Sequence, residues 1–167
     1  RVVLDYDVSD SLMVYGSFNT GFKSGGFNGS WFGPTPEVAP EEIDSFELGA
    51  KYAGDSISFE AAFFDYDWTN LQVAVLSNDA GGLTQENADA EMTGFEFSST
   101  FRPTDSLSMG IAGTWLDGEY TTYNASTHVP ASTITPGARG FVGAVSEDLS
   151  GYRLANAPEF SLNGNIT

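Results

Sequence analysis

The sequence predicts an all-β fold of about seven antiparallel, up-and-down strands, and three observations support that prediction. Apolar and polar residues alternate with a period of two along seven segments, whereas helical periodicity is poor throughout. The polar sides of these segments carry mainly Gly, Ser, Thr, Asn and Glu. The connections between the segments alternate between tight turns and long stretches. With 167 residues, the chain is long enough for one domain.

The predicted strands lie at seven places along the chain: 1–6, 12–20, 43–52, 56–68, 90–101, 107–120 and 159–167. The third strand shows the pattern clearly, with Phe46, Leu48, Ala50 and Tyr52 on one side and Ser45, Glu47, Gly49 and Lys51 on the other. Successive side chains point to opposite faces of a sheet, so each strand has an apolar and a polar face. Small polar residues on the second face suit the inner wall of a wide, water-filled barrel.

The charge and residue composition exclude several classes of function. The chain carries 23 acidic and 6 basic residues, for a net charge of −17, and phosphate binding needs many more Lys and Arg side chains. We therefore expect no nucleic-acid partner. Cysteine is absent, which excludes a disulfide, a thiolate metal site and a cysteine nucleophile. The 19 glycines and 14% aromatic residues suit either a secreted bacterial β protein or an acidic soluble β domain.

The connections between predicted strands favour a membrane barrel. Tight turns rich in Asp, Gly and Pro lie at 7–10, 53–55 and 103–105, and long loops are predicted at 21–42, 77–89 and 121–158. Short turns at one rim and long loops at the other are typical of outer-membrane barrels. Loops longer than ~12 residues are uncommon in compact domains. No stretch approaches the ~18 consecutive apolar residues of a membrane helix.

The aromatic residues give a further check on the span of a strand. At ~3.3 Å per residue and ~40° of tilt, each residue climbs roughly 2.5 Å along a barrel axis. The eight steps from Leu107 to Trp115 then cover about 20 Å, close to the ~25 Å apolar band between two aromatic girdles. Tyr52 and Phe101 lie beside short turns and Trp115 lies toward a long loop. The alternative, in which each aromatic is a core residue of a β-sandwich, stays open here.

No catalytic or metal-binding set emerges from the sequence. His128 is the only histidine and lies in a predicted loop, and no Gly-x-Ser-x-Gly elbow is present. The glycines between Gly21 and Gly26 lack the order of a phosphate loop. The segment at 65–70 would need Gly and Glu at the positions of Asn70 and Leu76 to be a calcium loop. We therefore expect no enzymatic activity, no cofactor and no metal site, and we expect Asp65 and Asp67 to mark the emergence of a strand into water.

Several blocks of the sequence, taken together, resemble the β-barrel of TonB-dependent outer-membrane receptors. Residues 21–28 read GFKSGGFN, and residues 40–51 read PEEIDSFELGAK. They are followed in the expected order by AAFFDYDWTNLQV at 61–73, NADAEMTGFE at 87–96 and LANAP at 154–158. The resemblance covers residues 12–167.

The resemblance implies a barrel of about 22 strands with an N-terminal plug in its lumen and a TonB-box peptide. It implies active uptake of a scarce ligand, most commonly a ferric siderophore, across the bacterial outer membrane. Outer-membrane lipid would surround the barrel, and the TonB-ExbB-ExbD complex would pull the plug. We expect residues 1–167 to be an internal segment of such a barrel, without the plug and the C-terminal strands. A soluble acidic β-sandwich that binds glycans and a passive porin-like barrel remain as alternatives.

The predicted loop at 21–42 is the candidate region for ligand contact. The candidate residues are Phe22, Lys23, Phe27, Asn28, Trp31 and Phe32. The aromatic side chains offer flat apolar faces, and Lys23 would attract an anionic siderophore complex. In the alternative interpretation, the glycine-rich block only shapes the root of the loop and packs on neighbouring strands. Three carboxylates, those of Glu47, Glu60 and Glu96, are predicted to point to the polar face and to line a wet lumen.

Overall fold

The structure is a computed structural model that describes residues 1–28, 37–77, 82–130, 136 and 141–167. The described residues form strands that are named here in chain order: β1 (Val2–Ser9), β2 (Leu12–Lys23), β3 (Gly26–Phe27), β4 (Glu37–Val38), β5 (Glu41–Ala53), β6 (Ile57–Ser77), β7 (Gly82–Thr104), β8 (Leu107–Thr122), β9 (Asn124–Pro130), β10 (Phe141–Asp148) and β11 (Phe160–Ile166). The prediction of an all-β chain is confirmed.

Seven of these strands form one antiparallel sheet in the order β1-β2-β5-β6-β7-β8-β11. Each of them overlaps one of the seven predicted strands, so the predicted partial barrel wall is confirmed. Two small hairpins, β3–β4 and β9–β10, lie outside this sheet, inside the connections from β2 to β5 and from β8 to β11. Within the described part of the chain, β1 and β11 are the two open edges of the sheet.

The register of the sheet aligns apolar residues across all seven strands. One row runs through directly opposite residues from β1 to β11: Leu4, Gly16, Leu48, Phe63, Phe95, Trp115 and Phe160. The large side chains of this row are all exposed, Leu48 by 55% and Phe95 by 43%. We call the side that carries this row the apolar face and the opposite side the polar face. An exposed apolar surface of this extent requires a lipid or protein partner.

The short turns lie where they were predicted, and the long connections, as far as they are described, contain paired strands. Only two or three residues join β1 to β2, β5 to β6 and β7 to β8. We call the end of the sheet where these turns lie the short-turn end. We call the opposite end of the strands the hairpin end. There β6 continues to Ser77 and β7 begins at Gly82. The described residues of the predicted loop at 77–89 are therefore strand, since pairing continues from Leu71 opposite Ala88 to Ser77 opposite Gly82. Residues 78–81 lie outside the described residues.

The long connection predicted at 121–158 lies between β8 and β11, but its described residues include the paired strands β9 and β10. Residues 131–135 and 137–140 lie outside the described residues. His128 belongs to β9, opposite Ala144, rather than to a loop. The backbone groups of these segments are satisfied by cross-strand pairing, which sequence patterning over such short runs did not reveal. In the predicted loop at 21–42, β2 extends to Lys23 and β3 pairs with β4. The remainder of that prediction, at 29–36, lies outside the described residues.

The buried apolar cluster of the described residues lies at the hairpin end. We call it the tyrosine cluster, and it consists of Ala88, Ala90, Tyr120, Tyr123 and Ala125. Trp68, Leu71 and Val73 of β6 pack against it from one side, and Leu149 and Leu154 pack against it from the connection that leads to β11. The tyrosine cluster therefore attaches the β9–β10 hairpin to the extended ends of β6, β7 and β8.

A bulge in β6 separates the main sheet from its extension. The register shifts between Trp68, opposite Ala90, and Leu71, opposite Ala88. Asn70 within the bulge has a φ of 56°, a conformation that Asn tolerates better than most residues. The backbone N–H of Asn70 donates to Oδ1 of Asp89 at 2.9 Å. The bulge is thus held by a side chain of the neighbouring strand.

Candidate functional site

The apolar face ends at a row of carboxylates near the hairpin end. Four acidic residues lie directly opposite one another on consecutive strands: Asp44, Asp67, Glu91 and Glu119. This row lies four residues along each strand from the aromatic row that contains Phe63 and Phe95. Like charges directly opposite one another are destabilising unless water screens them, so this level of the apolar face belongs in water. The predicted emergence of Asp65 and Asp67 into water agrees with this register.

The polar face carries a hydrogen-bonded group of charged side chains. The hydroxyl of Tyr15 on β2 donates to Oε1 of Glu47 on β5 at 2.6 Å. Nζ of Lys51 lies 3.5 Å from Oε2 of Glu60 and 5.8 Å from the centre of the Tyr15 ring. Lys51 and Glu60 are also directly opposite residues of β5 and β6. These contacts place one cation among several carboxylates on the polar face.

A cavity of about 240 Å³ lies next to this charged group. Its polar lining residues include Tyr15, Glu60, Glu96, Ser98, Thr114 and Asn163. The predicted position of Glu47, Glu60 and Glu96 on the polar face agrees with this register, because Glu60 pairs with Ser98 and Glu96 pairs with Thr114. The polar face therefore offers carboxylate, hydroxyl and amide groups to a cationic or hydrogen-bonding partner.

An aromatic ladder follows the polar face of β6 and was missed by the sequence reasoning. Phe64 stacks on Tyr66 with ring centres 5.1 Å apart, and Tyr66 meets Trp68 edge-on at 5.6 Å. Phe64 also covers Gly94 of β7 so closely that an added Cβ would overlap its ring. The spacing of these residues at alternate positions was a usable signal. The ladder connects the middle of the sheet to the tyrosine cluster.

The candidate ligand-contact residues have different surroundings. Phe22 is 79% exposed, lies opposite Glu42, and by strand alternation shares the apolar face with Phe18. Lys23 lies opposite Glu41 at the end of β2, on the polar side of the same strand. Phe27 in β3 is exposed. The candidates Trp31 and Phe32 lie outside the described residues.

Asn28 is buried, and both polar atoms of its side chain have partners. Its Nδ2 donates to the carbonyl oxygen of Gln85 at 2.7 Å, and its Oδ1 accepts from the N–H of Gln85 at 2.7 Å. These bonds attach the segment after β3 to β7. They favour the interpretation of Asn28 as a residue that shapes the root of the loop, while ligand contact by the exposed Phe22, Lys23 and Phe27 stays a prediction.

The connection that leads to β11 is held on β8 by Arg153. Its guanidinium lies 2.8 Å from Oε2 of Glu159 and 3.7 Å from Oδ1 of Asp117, and it donates to the carbonyl oxygen of Leu116 at 3.3 Å. The backbone of Leu154 donates to Gly118 at 2.9 Å. The connection therefore pairs with β8 at residues that precede the first residue of β11.

Tyr123 and Asp148, both at the hairpin end, have shifted pKa values. Burial, with the nearby Glu86 carboxylate as a further cause, raises the pKa of Tyr123 to about 12. Hydrogen bonds from the side chain and backbone of Ser150 lower the pKa of Asp148.

Over the ranges that the structure describes, no helix is both long and apolar enough to cross a membrane. In those same ranges, no group of three or more His, Asp or Glu side chains has the arrangement of a metal site.

A single antiparallel sheet with an apolar face, a polar face, short turns at one end and long hairpins at the other defines the wall of an outer-membrane-type β-barrel. The sequence model of the family described as TonB dependent receptor-like, beta-barrel, matches residues 1–167. The chain therefore belongs to this family of TonB-dependent receptors, and the resemblance inferred from its sequence blocks is confirmed.

Solved structures of other receptors share the fold. The ferric yersiniabactin uptake receptor FyuA from Yersinia pestis is 20% identical, with a TM-score of 0.72 over 98% of this chain and 22% of its own length. The copper transporter OprC is 16% identical, with a TM-score of 0.58 over 71% of this chain and 20% of its own. The alcaligin outer-membrane receptor FauA from Bordetella pertussis is 19% identical, with a TM-score of 0.50 over 71% of this chain and 21% of its own. This chain thus spans about a fifth of the length of these proteins.

Proposed function

We propose that this chain forms part of an outer-membrane receptor that takes up a scarce ligand with energy supplied by a TonB complex. The apolar row that crosses all seven strands, from Leu4 to Phe160, carries the proposal. A surface of this kind is stable against lipid, while the polar face behind it surrounds an aqueous or plug-filled lumen. Family membership supports the location in a bacterial outer membrane.

The open edges of the sheet support the view that further strands complete the barrel. Unpaired N–H and C=O groups along β1 and β11 would each cost several kcal/mol in hydrocarbon. We propose that residues 1–167 are an internal segment, and that strands outside it pair with both edges. The soluble β-sandwich alternative is wrong, because the family model assigns the whole chain to a receptor barrel.

For the ligand we propose an anionic ferric siderophore. FyuA and FauA are named for the siderophores yersiniabactin and alcaligin, whereas OprC is named for copper, so fold similarity alone leaves the cargo open. In this chain, Phe22, Lys23 and Phe27 are exposed near the hairpin end and would contribute contacts. Trp31 and Phe32 are proposed to contribute on the basis of sequence alone.

The polar face is proposed to contact a plug domain. Glu47, Glu60 and Glu96 share this face, and Lys51 is the cation in contact with Glu60, so cationic side chains of the plug would find complementary charge there. The TonB-ExbB-ExbD complex would act on the plug and not on this wall. The barrel wall performs no covalent chemistry in this proposal and needs no cofactor.

The experiment uses the full-length parent receptor in its native outer membrane. We expect the folded protein to migrate faster than the boiled protein on a denaturing gel, and we expect accumulation of iron from a ferric siderophore to stop when the proton-motive force is dissipated. Accumulation that continues without the proton-motive force would indicate the passive porin alternative. A mobility that boiling does not change would contradict the barrel itself.

A further inference from the structure

Residues 24–28 and 37–40 form an arm that contains β3 and β4 and lies on the extended ends of β6 and β7. Its two limbs are close together: β3 pairs with β4, and an added Cβ at Gly25 would overlap the backbone of Val38 and Pro40. Val38 is 3% exposed. The described part of the arm is therefore one compact unit rather than two independent limbs.

Asn28 binds this unit to β7 in the manner of a neighbouring strand. In an antiparallel pair, a hydrogen-bonded residue uses its one N–H and its one C=O with the residue opposite it. The side chain of Asn28 likewise bonds both the N–H and the C=O of Gln85, each at 2.7 Å. Because Asn28 is 8% exposed, water does not readily replace either bond.

Asn87 makes the reciprocal contact from β7 to the arm. Its Oδ1 accepts from the N–H of Ala39 at 2.8 Å, and its Nδ2 donates to the carbonyl oxygen of Ala39 at 3.2 Å. The same Nδ2 donates to the carbonyl oxygen of Asn70 in the β6 bulge at 2.7 Å. Asn87 therefore joins the arm, the bulge and β7 through one side chain.

Gln72 adds a third contact on the same side of the sheet. It lies directly opposite Asn87, and its Nε2 donates to the carbonyl oxygens of Ser24 at 3.1 Å and Ala39 at 3.2 Å. Its backbone N–H donates to Oε2 of Glu41 at 2.9 Å. By strand alternation, Gln72 and Asn87 lie on the side opposite Leu71 and Ala88, which pack in the tyrosine cluster. The arm and the β9–β10 hairpin thus attach to opposite sides of β6–β7.

We propose that Asn28 and Asn87 are positioning residues that hold the arm in one pose on β7 before any ligand binds. The assignment of that pose to ligand capture rests on the proposed function, but the pose itself does not. Each amide is used both as donor and as acceptor, so a carboxylate of the same shape loses the donor and opposes a carbonyl oxygen. A receptor whose arm is held in this way loses less conformational freedom when a ligand contacts the arm.

The test uses the full-length receptor in lipid vesicles without ligand and without energy supply. A nitroxide attached at Phe27→Cys reports the mobility of the arm. Phe27 is 74% exposed, and this chain has no cysteine of its own. We expect an immobile spectrum in the otherwise unchanged receptor and a mobile component in Asn28→Asp and in Asn87→Asp. Asn19→Asp is the matched control, because Asn19 donates to Ser17 on β2 and makes no described contact with the arm.

Acidification separates positioning by the amide from a general loss of structure. A protonated Asp regains a donor, so the label in Asn28→Asp should return to the immobile spectrum as the pH falls to about 4. Glu37, Glu41, Glu86 and Asp89 also lie on these elements, so the unsubstituted and Asn19→Asp receptors are measured over the same range. Boiling-dependent gel mobility shows that each variant barrel has assembled.

A mobile label in the receptor that carries only Phe27→Cys would overturn the proposal. An immobile label in both assembled Asp variants at neutral pH would overturn it as well. Because no ligand is present, neither outcome depends on uptake. Iron accumulation measured separately decides the proposed function, so the two can fail independently.

Discussion

Asp67 on β6 and Glu91 on β7 face each other directly across the two strands. Asp44 and Glu119 extend this acidic row on either side. Phe63 and Phe95 are aromatic residues that lie directly opposite each other, four residues further into the sheet. We propose that the outer boundary of the lipid lies between the two rows, because aromatic residues give way to acidic ones over so few positions. In the proposed receptor, the hairpin end would therefore face the outside of the cell.

The first prediction concerns this boundary. A nitroxide at Phe63→Cys in the full-length receptor should be relaxed by oxygen dissolved in lipid, and a nitroxide at Asp67→Cys should be relaxed by a water-soluble metal complex. The reason is that the two positions lie on the same face at different depths. Ser58, on the polar face of β6, is the control site. Equal responses at Phe63 and Asp67 would contradict the assigned boundary.

The second prediction concerns Tyr15, whose hydroxyl donates to Glu47 at 2.6 Å and whose ring covers Gly49. Tyr15→Phe should lower the free energy of unfolding by about 1 kcal/mol, since one partly exposed hydrogen bond is lost. Tyr15→Ala should lower it further, because Gly49 is then uncovered as well. Urea unfolding in vesicles measures both. Equal losses in the two variants would show that the ring contributes nothing.

The third prediction concerns Gly94, which lies beneath the ring of Phe64. Gly94→Ala should destabilise the barrel by about 1–3 kcal/mol, because the added Cβ forces Phe64 to move. Gly164→Ala is the matched control, since its nearest neighbour would be an oxygen at an ordinary 3.7 Å. The assembled fraction is measured by gel mobility without boiling. A larger defect in the control than in Gly94→Ala would refute the close contact.

The fourth prediction concerns the ionisation of Tyr123, whose pKa is raised to about 12 mainly by burial. A raised pKa in the folded state favours the neutral phenol. The resulting stabilisation is complete below the unfolded pKa of about 10 and is lost as the pH rises through about 12. The ultraviolet absorbance of tyrosinate, compared between the receptor and Tyr123→Phe, measures the shift.

Glu86→Gln provides the corresponding control for Tyr123. Removing the carboxylate should lower the pKa of Tyr123, while burial keeps it above the ordinary value. A Tyr123 that ionises near pH 10 in the intact receptor would show that the tyrosine cluster is open to water.

The number of main strands and their two faces were predictable from the sequence because alternation with a period of two is a local property. Phe46 and Glu47, for example, must point to opposite sides of any strand that contains both. The continuation of β6 to Ser77 was not predicted, although Leu71, Val73 and Val75 alternate with polar or small residues. The bulge at Asn70 interrupts the pattern and hides that continuation.

The candidate site was only partly predictable. The polar face with Glu47, Glu60 and Glu96 followed from alternation, and the exposure of Phe27 agrees with a surface role. The pairing of Asn28 with Gln85 joins residues 57 positions apart, and no local pattern contains that information. The same holds for Asn87 and Ala39, which are 48 positions apart.

The sequence by itself determined the strands and their two faces, because alternation with a period of two is visible in any short segment. The resemblance of several sequence blocks, and not the alternation, indicated the receptor family. Only the tertiary structure decided which rows of residues align and which polar side chains meet. Alignment of the acidic row and contact between the arm and β7 depend on register between distant strands. Register is set by many pairings acting together, and a one-residue shift would separate every one of these partners.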